Sequence, residues 1–364
     1  MFITTPRMDK THATRRVFFD LNHPADFHFF KHLITWMKSQ DYVIKIIARD
    51  KECLHMLLDD AGIEYISRGR GKHTLAGKYI YALWILILLL LALIKFRPTI
   101  AMSLSSPYLA FLTWILGIPC VTYDDTDKNP RLLPLIKKSR YLLSPSNYPH
   151  KFHKGHFHLP VLKELAYLHP AQFKHDQDRA GVFFRITRTD SIHHSKASSL
   201  DQYTVMKKMQ QLSKKQTTFL SSESDLDFGN DTSVHRADPI HIHRDLATCR
   251  VFWGNSATMA AEAAVLGIPA IFVSAEKFAY ISELEDYGLL YHFHPENLHS
   301  SLEKLDTILS GDPQTNYFQK SRDVLLREKV DMTAFMTWFV ETLPESARIM
   351  EEDLEYVQKF IAGK

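Results

Sequence analysis

The sequence predicts an α/β protein made of two doubly wound domains. Three observations lead there. Strand and helix patterns alternate along the N-terminal half, the alternation resumes from Gly181, and a chain of 364 residues exceeds what one core usually organises. In the first half, residues 16–20 (RVFFD) form a short apolar run, 28–38 carry helical spacing, 43–48 read as a strand, and 52–60 read as a helix ending at Gly62. Residues 99–102 predict the next strand, 107–116 a helix closed by Gly117, and 119–123 another strand. Right-handed crossovers turn such a βαβ series into a parallel sheet with helices on both faces.

The second half repeats the logic. Residues 181–187 (GVFFRIT) read as a strand, followed by a helix over 200–214, a strand over 217–221 and a helix over 243–247. A strand over 250–253, an alanine-rich helix and a strand over 270–273 complete the series. Between the halves, periodicity lapses in the His-rich stretch 151–179. The expected organisation is an N-terminal domain over 1–165, a C-terminal domain over 166–346, and a tail, 347–364, whose helix at 347–361 returns to brace the first domain. Two such domains facing each other leave a cleft at the C-terminal ends of their strands, where ligands of doubly wound sheets bind.

Composition excludes several function classes. A hydrophobic fraction of 45% with 23% charged residues is that of a globular protein and leaves no long segment to be called disordered. The net charge of +3, with basic residues scattered among acidic ones, gives no nucleic-acid footprint. Cys53, Cys120 and Cys249 are far apart in apolar or helical contexts, which suits buried thiols in a reducing compartment. The N-terminal stretch lacks an apolar core and a small-residue cleavage pattern, so a cytoplasmic protein is expected rather than a secreted one. Twenty histidines include runs at 150–158, 193–194 and 235–243, yet no HExxH or paired CxxC accompanies them. No metal and no bound cofactor is expected, and the histidines read as surface or loop residues.

One segment departs from a purely soluble pattern. Residues 79–94 (YIYALWILILLLLALI) have no polar break except tyrosine hydroxyls, with Lys78 before them and Lys95 and Arg97 after. As a helix the run is about 24 Å long, short of a bilayer's hydrocarbon thickness, so spanning is not expected. An all-round apolar helix either sits under other helices or lays one side on lipid with basic residues nearby, and both readings stay open.

The densest motif is 253–273, WGNSATMAAEAAVLGIPAIFV. A strand ending at Trp253, a turn at Gly254 and a helix beginning near Ser256 present free backbone amides where the helix dipole favours an anion. Asn255, Ser256 and Thr258 add side-chain donors, and the alanines let the helix lie close to its sheet. Glu262 follows Ser256 by six residues, about 9 Å along the axis, roughly the reach from a diphosphate to its ribose hydroxyls. The alternative is an ordinary N-capped helix carrying a surface glutamate.

Along its length the chain resembles the family catalogued as domain of unknown function 354, through FFDLNHPADFHFFKHL, IIARD, GIPCVTYDDTD, FFRITRTDSIHH, the 254–273 block and ISELEDYGLL. That family is similar to the GT-B superfamily, including the non-hydrolysing UDP-N-acetylglucosamine 2-epimerases and the peptidoglycan N-acetylglucosaminyltransferase. The resemblance implies a GT-B fold of two Rossmann-like domains and a nucleotide sugar, such as a UDP-sugar, as co-substrate. It also implies diphosphate binding by Ser256, Ala257 and Thr258 and ribose binding by Glu262. Ala257 and Thr258 stand where the epimerases have paired glycines.

Other loops at strand ends supply further candidates. Arg185 and Arg188, with His193 or His194, follow the first strand of the second half, where cations would meet a departing diphosphate. His23, Asp26 and His28 follow the first strand of all, and a histidine or a carboxylate there can act as base for an acceptor hydroxyl. Asp26 equally suits a structural turn capping the helix. Asp124, Asp125 and Asp127 in YDDTD form an acidic loop for sugar or acceptor, with Asp125 the candidate in contact.

These readings suggest a metal-independent glycosyltransferase that builds a bacterial cell-envelope polysaccharide or lipid-linked glycan, with glycan acceptor and peripheral membrane contact as partners. It would work at the inner face of the cytoplasmic membrane. A sugar-nucleotide epimerase and a degenerate nucleotide-sugar-binding protein remain as alternatives.

Overall fold

The computed structural model describes residues 15–72, 74–125, 132–175, 179–187, 201–223, 233–311 and 314–361. The first sheet is built from β1 (Arg16–Leu21), β2 (Val43–Ala48), β3 (Ile66–Ser67), β4 (Ile100–Leu104), β5 (Cys120–Tyr123), β6 (Tyr141–Pro145) and β7 (His156–Leu159). Its order is β3-β2-β1-β4-β5-β6-β7. β1 pairs in parallel with β2 and β4, as do β2 with β3 and β4 with β5. The crossovers are α1 (Pro24–Ser39), α2 (Leu54–Asp60), α3 (Leu75–Phe96), α4 (Pro107–Leu116) and α5 (Leu133–Ile136). β1 is buried from Val17 to Leu21, as a central parallel strand covered on both faces must be.

After α6 (Leu165–Leu168), the second sheet takes β8 (Gly181–Ile186), β9 (Thr218–Ser222), β10 (Val234–Arg236), β11 (Cys249–Gly254), β12 (Ala270–Val273) and β13 (Leu290–Phe293). Its order is β10-β9-β8-β11-β12-β13, all in parallel. Between its strands run α7 (Gln202–Ser213), α8 (Ile242–Ala247), α9 (Ala257–Val265) and α10 (Ala279–Asp286), and after them α11 (Leu298–Ser310), α12 (Gln314–Glu328), α13 (Met332–Glu341) and α14 (Glu345–Glu352). The buried Trp253 of β11 donates its indole N–H to Ser301 Oγ at 3.1 Å, tying α11 to the sheet. The α/β fold class expected from the sequence is the one observed. By contacts the chain divides into two compact units: Met1–Phe27, Leu33–Tyr123 and Asn129–Leu142 form the first, and His28–His32, Asp124–Lys128 and Leu143–Lys364 the second.

Three expectations need correction. β7 falls inside the stretch expected to be irregular. His156, one of the histidines of that stretch, is a buried ring packed against Tyr148 and Phe152, and burial pushes its pKa down to about 3. A histidine kept neutral in this way serves a strand as an aromatic residue, which hydropathy patterns do not register. The C-terminal tail is not one helix over 347–361: α14 ends at Asp353, whose side chain caps a separate 3-10 turn over Leu354–Phe360. Third, the apolar helix is longer than its apolar run. Thr74 caps it by accepting from the Gly77 N–H at 3.1 Å, and it continues to Arg97 in the left-handed region at φ 49°.

At 22 residues α3 is about 33 Å long, so length no longer argues against spanning. Packing does. Ile85, Leu89, Leu93 and Phe96 recur on one face and are buried in a core with Phe18, Ile47, Ala101 and Leu109. That stripe holds α3 in the first unit, and its loss would open the core.

At the C-terminal end of β1 a buried polar network joins neighbouring crossovers. Arg68 donates to Asp20 Oδ1 at 2.8 Å and also to Asn22 Oδ1, while Ser106, the N-cap of α4, donates to Asp20 Oδ2 at 2.5 Å. Removing one partner of a buried ion pair strands the other's charge. Arg68→Ala should therefore lower stability by about 3–5 kcal/mol in urea unfolding, whereas Asp50→Ala, which breaks the exposed Arg70 pair, should shift it by less than about 1 kcal/mol.

Candidate functional site

In the second sheet the strand order reverses between β8 and β11, so the ends of these strands diverge there. Gly254 ends β11 with its backbone against that of Arg185, and a Cβ at this position would collide with the Arg185 carbonyl oxygen. Asn255 then fastens the two ends together. Its Oδ1 accepts from the Thr187 N–H at 2.7 Å and its Nδ2 donates to the Thr187 carbonyl at 3.2 Å. Ser256 is the N-cap of α9, accepting from the Met259 N–H with Oγ at 3.4 Å and from the Ala260 N–H with its carbonyl at 3.0 Å. Ala257 and Thr258 are the first two residues of the helix, whose amides have no acceptor within it. Both are half-buried.

Every residue of α9 from Met259 to Val265 is buried, Glu262 among them at 4% exposure. The alternative of a surface glutamate is thereby excluded. Tyr167 of α6 donates its hydroxyl to Glu262 Oε1 at 2.7 Å, and His243 Nε2 of α8 lies 3.1 Å from the same oxygen. Both contacts meet Oε1. Burial raises the pKa of Glu262, but the charge and hydrogen bond of His243, the Tyr167 hydroxyl and the charge of Lys163 outweigh it and hold the carboxyl below its usual range. Glu262 is thus an ionised acid in a closed setting.

Around it stands a group of residues that the motif did not announce. The His28 ring lies 4.5 Å from that of His243, edge-on, and 5.4 Å from that of Tyr167. Lys31, one turn on, sits 5.8 Å from the Tyr167 ring, and burial lowers its pKa. Lys163 donates to Asp125 Oδ2 at 2.6 Å and approaches Glu164 Oε1 at 3.5 Å, and burial lifts the Glu164 pKa to about 7. His243 belongs to a histidine run expected at the surface, but it is buried. Tyr167 and Lys163 lie in the stretch whose lack of periodicity hid them. The only signal available beforehand was the clustering of polar residues beside an otherwise apolar segment (LPVLKELAYL).

The other candidates are placed as follows. Arg185 donates to Ser221 Oγ at 2.8 Å and to Glu223, so its guanidinium is tied to the end of β9. Arg188, His193, His194 and Asp127 lie outside the described residues. Asp124 accepts from the Tyr148 hydroxyl. His23 caps α1, accepting from the Ala25 N–H with Nδ1 at 3.2 Å while Nε2 lies 3.3 Å from Glu52. That arrangement engages both ring nitrogens. Asp26 is buried and accepts from the Asn22 N–H at 2.7 Å, while the cap expected of it is made by His23. Among the described residues, no three His, Cys, Asp or Glu side chains are grouped to hold a metal, and Cys53, Cys120 and Cys249 form no disulfide.

Residues 15–136 match the family described as Protein of unknown function (DUF354). No curated protein matches the chain. Among solved structures it is similar to a putative UDP-N-acetylglucosamine 2-epimerase from Listeria monocytogenes, with a TM-score of 0.63 at 13% identity over 92% of this chain and 96% of that one. It is also similar to S. aureus MnaA in its UDP co-structure, with a TM-score of 0.63 at 10% identity over 96% and 99%. A third likeness is to the spinosyn rhamnosyltransferase SpnG, solved with thymidine diphosphate and with spinosyn aglycone, with a TM-score of 0.58 at 14% identity over 90% and 100%. The fold is therefore of the GT-B type, with two Rossmann-like halves.

Burial raises the Asp26 pKa from 3.8 to about 6, against the opposing pull of the Asn22 N–H and the His23 charge. A carboxyl raised in the folded state costs stability when ionised, fully above about pH 6 and not at all below about pH 4. Asp26→Asn, which carries no such charge, should be more stable than the parent by about 1–3 kcal/mol at pH 8. The gain should vanish as the pH falls to 4, as read from urea midpoints across the pH range.

Proposed function

We propose that the protein is a glycosyltransferase whose donor is a nucleotide-diphosphate sugar and whose acceptor is a glycan or lipid-linked glycan of a bacterial cell envelope. The observation that carries this reading is the state of Glu262. It is buried, its carboxyl is held below the usual range, it is approached through Oε1 by Tyr167 and His243, and it stands six residues after the cap Ser256. A ribose diol presents two hydroxyl donors, and Oε2 is the oxygen left for it. A diphosphate suits the amides of Ser256, Ala257 and Thr258 and the Thr258 hydroxyl, where helix dipole and N–H groups without an acceptor in the helix both favour negative charge. Asn255 shapes that turn.

In the proposed reaction the acceptor hydroxyl attacks the anomeric carbon as its bond to the diphosphate oxygen breaks. The departing diphosphate takes up the bonding pair, and the α9 amides stabilise its charge without a metal. Arg185, Arg188 and His194 are the proposed cationic donors beside it. The hydroxyl proton goes to a base drawn from His23, Asp26, His28 and Asp125. Asp26 has the pKa that such a base needs, whereas His23 has both ring nitrogens engaged and Asp125 is paired with Lys163. The inner face of the cytoplasmic membrane is the proposed place of work.

Radiolabelled UDP- and TDP-sugars, with and without membrane extract, separate the readings. Label that enters glycan or lipid only with extract supports transfer. Isomerised sugar nucleotide without extract supports an epimerase, and nucleotide binding with neither product supports a binding protein. Glu262→Gln should weaken UDP or TDP binding by about 1–3 kcal/mol in calorimetry, the scale of hydrogen bonds to a charged group, and an unchanged affinity removes the ribose assignment.

A further inference from the structure

Two opposite faces of α3 are apolar, and only one of them is used by the fold. The buried stripe runs through Ile85, Leu89, Leu93 and Phe96. Ile80, Leu83, Trp84, Ile87, Leu91 and Ile94 recur at spacings of three and four on the opposite side, and all six are exposed, Ile80 to 70% and Leu91 to 61%. Soluble surfaces seldom carry a contiguous apolar stripe of this length. α4, packed beside α3 in the same core, adds Trp114 and Ile115, each more than half exposed.

The segment that carries this face has charges of one sign. From Tyr65 to Tyr123 the chain contains no Asp or Glu and six Lys or Arg: Arg68, Arg70, Lys72, Lys78, Lys95 and Arg97. Arg68 is spent on Asp20 and Arg70 on Asp50, but Lys78, Lys95 and Arg97 are exposed at the two ends of the helix. Trp114 lies beneath the Lys138 ammonium, 4.1 Å from the ring centroid. A protein partner of opposite charge would need an acidic rim around an apolar groove. An anionic leaflet supplies both acyl chains and a negative surface in one plane, and aromatic rings with lysines at their edges suit its headgroup level.

We propose that the outer face of α3, with the exposed end of α4, docks on the surface of an anionic lipid bilayer, α3 lying along the interface while its inner stripe stays in the protein core. The inference stands apart from the donor reading, because vesicle binding needs no nucleotide.

Flotation of the full chain with vesicles tests it. The parent protein should float with phosphatidylcholine vesicles containing about one-third phosphatidylglycerol, and weakly with phosphatidylcholine alone or at high salt. Leu83→Ser/Ile87→Ser/Leu91→Ser changes exposed positions only, so it should keep the parent's circular dichroism while its bound fraction drops about tenfold or more. Lys78→Glu/Lys95→Glu leaves the apolar face intact and should abolish the preference for anionic lipid. Failure of the parent to float with anionic vesicles, or undiminished flotation of the serine variant, overturns the proposal. So does a parent that is dimeric without vesicles and becomes monomeric in the serine variant, since the face would then be buried between two copies.

Discussion

A carboxylate buried in an alanine helix is the constraint around which the second unit is arranged. Moved out of water without a partner, Glu262 would cost several kcal/mol, more than most single contacts return. The charge is tolerated because Tyr167 and His243 reach it from two other helices, and they can do so because the alanines beside it take up little space. A bulkier residue at Ala260, Ala261, Ala263 or Ala264 would push away the strands and helices that crowd the acid. α6, which carries Tyr167, is only four residues long and has no side-chain cap. It is held from outside: Thr333 donates to the Ala166 carbonyl at 2.6 Å, and His169 lies 3.4 Å from Asp331, so α13 fixes the position of a residue that meets Glu262.

This dependence explains which parts could be read in advance. The βαβ alternation was legible because central parallel strands such as β1 and β12 are continuous apolar runs, and because caps such as Gly117 follow the helices they close. The helix start at Ser256 and the placing of Glu262 were legible for the same reason, being local in sequence. The partners of Glu262 were not. Tyr167 and His243 are distant along the chain, and nothing local to either predicts where α6 and α8 will pack. Histidine misled twice: at His156, because a buried neutral imidazole behaves as an aromatic ring while its sequence signature is that of a polar loop, and at His243, because its burial beside Glu262 depends on distant packing. The length of α3 was underread because Leu75, Ala76, Gly77 and Lys78 precede the unbroken apolar run, although the Thr74 hydroxyl cap shows the helix starting there.

The two sheets also show how one architecture yields unequal places for a ligand. Each reverses its strand order once, between β1 and β4 in the first and between β8 and β11 in the second, and at each reversal the strand ends carry polar residues. At the first, the charge is already neutralised within the protein: Asp20 is met by Arg68 and by the Ser106 hydroxyl, which also caps α4. An anion arriving there would have to displace a buried carboxylate from Arg68 and Ser106. At the second, the acid among the described residues is Glu223, which Arg185 meets at the end of β9. Asn255 spends its side chain on the Thr187 backbone, Ser256 spends its hydroxyl on the Met259 amide, and the nearest carboxylate in α9 lies two turns away, behind the opening amides rather than in front of them. At the first corner an acid is thus held in front of the α4 start, whereas the opening amides of α9 have no acceptor within their helix. That difference, and not the shared fold, is the physical reason for proposing the diphosphate at Ser256, Ala257 and Thr258.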